Sequence, residues 1–147
     1  LLAVAPQDRQ ALESLSKLYA RSQNARQLSQ VYAQQAQLAA DPAEKLELLS
    51  KAGEAFAIAG DDDQAIDAWR SALTIKRTVK ALSALDHLFG KQERHAEQAD
   101  VLAQLAEETA EADGKAQFLI RRGQLLERGG QVADALRAFA EVLQLVP

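Results

Sequence analysis

This chain of 147 residues contains no cysteine and no methionine, three prolines, seven glycines and few aromatic residues. Without cysteine there is no disulfide framework, no thiolate metal site and no cysteine nucleophile. No apolar run approaches the roughly 20 residues that cross a bilayer. The opening LLAVAP has no basic lead and is too short for a signal peptide, so no direct membrane insertion is expected and the chain reads as soluble. The net charge of −4 gives no global attraction for a phosphate backbone, and nucleic acid is not an expected partner. With no methionine and with Leu1 in first place, the chain is expected to be an excerpt of a longer polypeptide. What is present suits one folded domain: 48% of the residues are hydrophobic and 26% charged, enough apolar surface for a sizeable core.

Breakers are sparse and regularly placed, at Pro6, Pro42, Gly60, Gly90, Gly114, Gly129, Gly130 and Pro147. Between them apolar residues recur three and four apart, as in Leu12, Leu15, Leu18, Tyr19 and again Leu82, Leu85, Leu88, Phe89. That is the period of an amphipathic helix, and no segment alternates as a strand does. The pattern predicts an all-α chain of eight helices at about 8–21, 24–40, 43–59, 62–76, 78–90, 92–111, 114–129 and 131–146. Connections this short make neighbouring helices antiparallel.

The chain also repeats itself. Shifted by 70 residues without a gap, Ala11, Leu12, Leu15 and Leu18 fall on Ala81, Leu82, Leu85 and Leu88. Val31, Ala33, Gln34 and Ala36 fall on Val101, Ala103, Gln104 and Ala106, and Gly53, Gly60, Ala65, Ala68 and Leu73 on Gly123, Gly130, Ala135, Ala138 and Leu143. The matching positions are mostly small or apolar, so packing is repeated and surface chemistry is not. This settles the stretch GDDDQAIDAW at 60–69, whose three aspartates suggest a metal loop. In the second copy Asp61, Asp62 and Asp63 are replaced by Gln131, Val132 and Ala133. The acids are contiguous instead of alternating, with no mid-loop glycine and distal glutamate as a calcium loop needs. They are expected to cap and start a helix.

Each 70-residue unit divides into two hairpins, beginning near residues 9, 46, 79 and 116. In the second hairpin Leu49, Ala52, Gly53 and Phe56, then Gly60, Ala65 and Trp69, follow a specific spacing, and Leu119, Gly123, Leu126, Gly130, Ala135, Phe139 and Pro147 repeat it in the fourth. This pattern resembles the tetratricopeptide repeat, W-x2-L-G-x2-Y followed by a turn glycine, a small alanine, a phenylalanine and a closing proline. The first and third hairpins match it through Leu12, Leu15, Tyr19, Tyr32 and Leu82, Leu85, Phe89, Leu102. They carry Ser16 and Asp86 where the family has glycine, and Leu28 and Gln98 where it has alanine. The resemblance implies an α-solenoid of four stacked hairpins, at about 9–45, 46–78, 79–115 and 116–147, with residues 1–6 left from a preceding repeat. Glycine within a helix costs about 0.8–1.0 kcal/mol relative to alanine. Gly53 and Gly123 are therefore expected where two helices touch, with Ala65 and Ala135 opposite and Trp69 and Phe139 filling the wedge to the next hairpin.

No catalytic constellation stands out. His87 and His95 are eight apart and do not share a helix face as i,i+4 partners do, no serine lies in a G-x-S-x-G elbow, and Gly129-Gly130 follows a helix instead of leading a strand into one. Gly90 is expected to end the helix between the histidines. No enzymatic activity, cofactor or metal site is expected.

What remains is binding. The resemblance implies that the first helix of each hairpin lines a concave face, where the inward polar residues would be Lys17, Arg21, Glu47, Glu54, Lys80, His87, Lys91, Arg121, Gln124 and Arg128. Cations outnumber anions there, which suits an acidic or mixed-charge protein segment. The terminal-carboxylate clamp of some family members needs an inner Asn, and those positions read Lys17, Glu54, His87 and Gln124. The leading expectation is a protein–protein interaction scaffold within a larger protein. The alternative is a regulatory or sensor module that takes a peptide or small ligand in its groove. Apolar stretches near both ends, LLAVAP and VLQLVP, lead to a further expectation of weak end-to-end self-association.

Overall fold

A computed structural model of the chain describes residues 6–145, with side chains from residue 8 onward. Every regular element among these residues is an α-helix: α1 (Pro6–Arg21), α2 (Ala25–Leu38), α3 (Pro42–Ile58), α4 (Asp62–Ile75), α5 (Val79–Lys91), α6 (His95–Glu108), α7 (Ala112–Arg128) and α8 (Val132–Leu145). The all-α expectation holds. The expected remnant of a preceding helix lies outside the described residues for 1–5, while Pro6 is the first residue of α1. Proline suits that place, because its missing N–H belongs to the first turn, which has no intrahelical partner anyway.

Turn chemistry sets the helix boundaries. Each hairpin turn holds one residue in the left-handed region: Gln23 (φ 55°), Gly60 (83°), Glu93 (56°) and Gly130 (79°). The next N–H reaches back five residues each time, from Asn24 to the Tyr19 carbonyl at 3.0 Å, Asp61 to Phe56 at 2.9 Å, Arg94 to Phe89 at 2.9 Å and Gln131 to Leu126 at 2.8 Å. This closure satisfies carbonyls that the helix end leaves open. Glycine adopts the conformation freely, whereas a side chain there costs about 1–2 kcal/mol. Gly60 and Gly130 announce their turns in the sequence, while Gln23 and Glu93 do not. Hence α6, expected over 92–111, begins only at His95 and ends at Glu108. Gly90 does not end α5, which runs on to Lys91. Its lack of a side chain serves packing instead, since a Cβ there would stand 2.9 Å from Gln98 Nε2. Gln23→Gly is accordingly expected to stabilise the first hairpin by roughly 1 kcal/mol, read as a higher urea midpoint at unchanged slope.

The helix starts are capped by short acceptors. Asn24 accepts from the Gln27 N–H, Asp41 from Glu44, Asp61 from Gln64 and Thr78 from Ala81, at 3.2–3.4 Å. Asp61 thus does what the sequence leads one to expect of the acidic stretch, with Asp62 and Asp63 in the first turn of α4 at the positive end of its dipole. Arg94 precedes α6 and has no acceptor to offer. Its guanidinium grips Glu97 through two bonds of 2.6 Å and lies over the Phe89 ring at 4.9 Å.

The chain forms two compact units, Leu1–Arg77 and Thr78–Pro147. In the first, α2 packs on α1 and α3, and α4 on α3; in the second, α6 packs on α5 and α7, and α8 on α7. Phe56, Ile66 and Trp69 fill the first core among many alanines, and Leu82, Leu85, Phe89, Leu102 and Leu105 fill the second. Burying one such side chain contributes about 1.5–3 kcal/mol. The interior glycines stand against an aromatic ring of their own hairpin. A Cβ at Gly53 would lie 2.6 Å from Trp69 Nε1, and one at Gly123 would lie 2.7 Å from two atoms of the Phe139 ring. The glycine therefore makes room for the aromatic ring of its own hairpin. Near the ends, Leu15 and Leu18 of α1 and Leu136 and Leu143 of α8 are exposed.

Candidate functional site

The third hairpin carries larger polar residues at two positions of the repeat. Asp86 on α5 stands where the other hairpins have Ser16, Gly53 and Gly123, and Gln98 on α6 stands where they have Leu28, Ala65 and Ala135. The structure joins these two residues. Gln98 Nε2 donates to Asp86 Oδ1 at 2.8 Å, and Arg121 Nη2 on α7 donates to both Asp86 oxygens at 2.9 Å. Gln98 is buried and the Asp86 side chain is only 15% exposed. A carboxylate withdrawn from water this far must be bonded and charge-paired, and the amide and guanidinium supply both.

Above this network lies a cleft of about 340 Å³, lined by Gly90, Glu93, His95, Gln98, Arg121, Gln124, Leu125 and Arg128. The local fold places each group. The left-handed turn presents Glu93, and Arg94, held by Glu97 and Phe89, precedes His95, the first residue of α6. Arg121, Gln124 and Arg128 follow one another at i, i+3 and i+7 along α7, which brings them onto one stripe. Buried His95 Nδ1 makes no hydrogen bond among the described residues.

The nine concave-face candidates are all exposed. Lys17 and Arg21 lie on α1 and Glu54 on α3, in the first unit, where Lys17 pairs with Glu13 at 3.2 Å. Lys80, His87 and Lys91 lie on α5 and do not line the cleft. Three of the nine, Arg121, Gln124 and Arg128, come together in it. Glu47, also read as inward, pairs with Lys51 at 3.3 Å. Sequence reasoning missed Asp86, Gln98, Glu93 and His95 as site residues. For the first two a signal existed: two larger polar residues within one hairpin, on helices that must touch.

The larger grooves carry a different message. One of about 520 Å³ between α6, α7 and α8 is lined by Ala103, Ala106, Lys115, Leu119, Leu145 and others, and one of about 360 Å³ between α2, α3 and α4 by Ala33, Ala36, Lys45, Leu49, Ile75 and others. Each residue lining the first has a counterpart 70 positions earlier lining the second. These grooves come with the repeated packing. The polar network is not repeated: 70 positions before Asp86, Gln98, Arg121 and Arg128 stand Ser16, Leu28, Lys51 and Ile58. The Ser16 hydroxyl donates to its own helix at the Glu13 carbonyl, and Lys51 turns to Glu47.

Among the described residues no helix is long and apolar enough to cross a membrane, and no three His, Asp or Glu side chains are grouped to hold a metal ion.

No protein-family model and no curated protein matches the chain. Solved structures do, among them the crystal structure of MamA, which is 18% identical and superposes with a TM-score of 0.62 over 95% of this chain and 79% of that one. That likeness shows the fold alone: an all-α, tetratricopeptide-like helical repeat.

Proposed function

We propose that this chain is a protein–protein interaction module, a tetratricopeptide-like segment that holds a partner polypeptide on the face of its second unit where α5, α6 and α7 meet. The observation that carries this reading is the Arg121, Gln124 and Arg128 stripe beside a cleft whose floor is a fixed polar network. The second unit carries out on its own what a binding surface needs: a concave site, a few directed polar groups and an apolar contact in Leu125. The reading is also the ordinary use of a repeat fold, which offers a rigid surface with variable side chains. Within it, the exposed Lys80, His87 and Lys91 of α5 extend the cationic character of the site, and Lys17, Arg21 and Glu54 are separate candidates on the first unit.

Charge substitution tests this. Lys80→Glu, Lys91→Glu and Arg128→Glu combined with Arg121→Gln are expected to weaken partner capture from the native cell extract at least roughly tenfold, at unchanged helicity. Arg70→Glu with Arg137→Glu, on the second helices of their hairpins, is expected to leave capture intact. Equal capture by both variants would show that the binding face lies elsewhere.

A further inference from the structure

Resting on that binding reading, we infer that the partner presents a single acidic side chain to the second unit's cleft, its carboxylate accepting from the donors of Arg121 that Asp86 leaves open. A guanidinium has five N–H donors in a planar fork. Asp86 draws on Nη2 alone, so the donors of Nε and Nη1 make no hydrogen bond among the described residues. Nη1 can still donate to one oxygen of a carboxylate, whose charge the guanidinium pairs. Asp86 is itself held from behind by Gln98, so Arg121 cannot swing freely, and less rotamer freedom is lost when a ligand binds.

The surrounding groups limit what fits. Arg128, two turns further along α7, has no ion-pair partner among the described residues and adds one cation, and Gln124 between them offers a neutral amide. Leu125 and Gly90 give the aliphatic stem of the incoming side chain an apolar contact. Glu93, exposed at the left-handed turn on the rim, is the one acid lining the cleft. It repels a second carboxylate, so the site reads one acidic residue with neutral or basic neighbours and discriminates against a polyanionic tract. The first unit lacks this reader, because Lys51 is engaged by Glu47 and Leu28 leaves no amide to hold an acid at position 16.

The test is an NMR titration of the ¹⁵N-labelled chain with a short capped peptide bearing one central glutamate. The controls are its glutamine twin, a poly-glutamate peptide of the same length and inorganic phosphate. The arginine Nε–H signal of Arg121 and the Gly90 amide are expected to shift saturably with the glutamate peptide and not with the glutamine twin. Poly-glutamate and phosphate are expected to bind more weakly than the single-glutamate peptide. Arg128→Gln, a change at an exposed side chain, is expected to weaken binding several-fold, Arg121→Gln to weaken it roughly tenfold or more, and Glu93→Gln to admit poly-glutamate. The inference is overturned if the glutamine twin binds equally, if poly-glutamate binds best to the unaltered chain, or if Arg128→Gln and Arg121→Gln leave the titration unchanged. Should the peptide fail while partner capture is still lost on charge substitution, the carboxylate reading falls and the binding face stands. Should capture survive charge substitution, the binding face itself is wrong.

Discussion

Gly53→Leu is expected to cost the first unit roughly 1–3 kcal/mol, seen as a lower urea midpoint for that unit. The reason is geometric. The first carbon of any side chain at Gly53 meets the Trp69 indole at 2.6 Å, and Trp69 is 2% exposed, so the ring has nowhere to move. Even Gly53→Ala, which improves helix propensity by about 0.8–1.0 kcal/mol, is expected to lose more through this contact than it gains. Gly123→Leu is expected to cost less than Gly53→Leu, because the facing Phe139 is only half-buried and can tilt outward. Equal stability of Gly53→Leu and the parent chain would show that the ring does not lie where the structure has it.

Asp86→Ala is the second large effect. It strips Gln98, 8% exposed, and Arg121 of their shared acceptor, and a buried donor left unmade costs roughly 1–3 kcal/mol. Replacing the whole set is different. Asp86→Ser, Gln98→Leu and Arg121→Lys together install the residues that the first unit already packs in the same register, and no buried donor is left over. The triple variant is therefore expected to be more stable than Asp86→Ala, although it carries more changes. A urea series comparing the two checks the ordering, and the reverse order would mean that the network stabilises through something other than mutual satisfaction.

The fold was legible because its signals are local and repeated. The three- and four-residue spacing of leucines and the glycines at 60 and 130 act over one or two turns of chain, and the 70-residue self-match repeats them. Asp61 could be read as a cap for the same reason, since a cap needs only its own helix. Boundaries slipped where a general residue took a glycine's conformation, at Glu93. The site was half legible. Arg121, Gln124 and Arg128 could be placed on one stripe by counting along α7. Asp86, Gln98 and His95 come from other helices, and only tertiary packing brings them to that stripe. In the sequence Asp86 and Gln98 read as weak points of the repeat pattern. In the structure they are bonded to each other, and their cost to small-residue packing is offset by the network they form.

The triple variant also gives the most direct measurement of function. Asp86→Ser, Gln98→Leu and Arg121→Lys keep a cation at position 121 and the packing frame, and remove the guanidinium together with the two groups that fix and orient it. Partner capture by this variant, measured beside helicity and urea midpoint, is expected to fall roughly tenfold or more while the fold persists. A folded triple variant that captures its partner as well as the parent chain does would contradict the assignment of binding to this cleft.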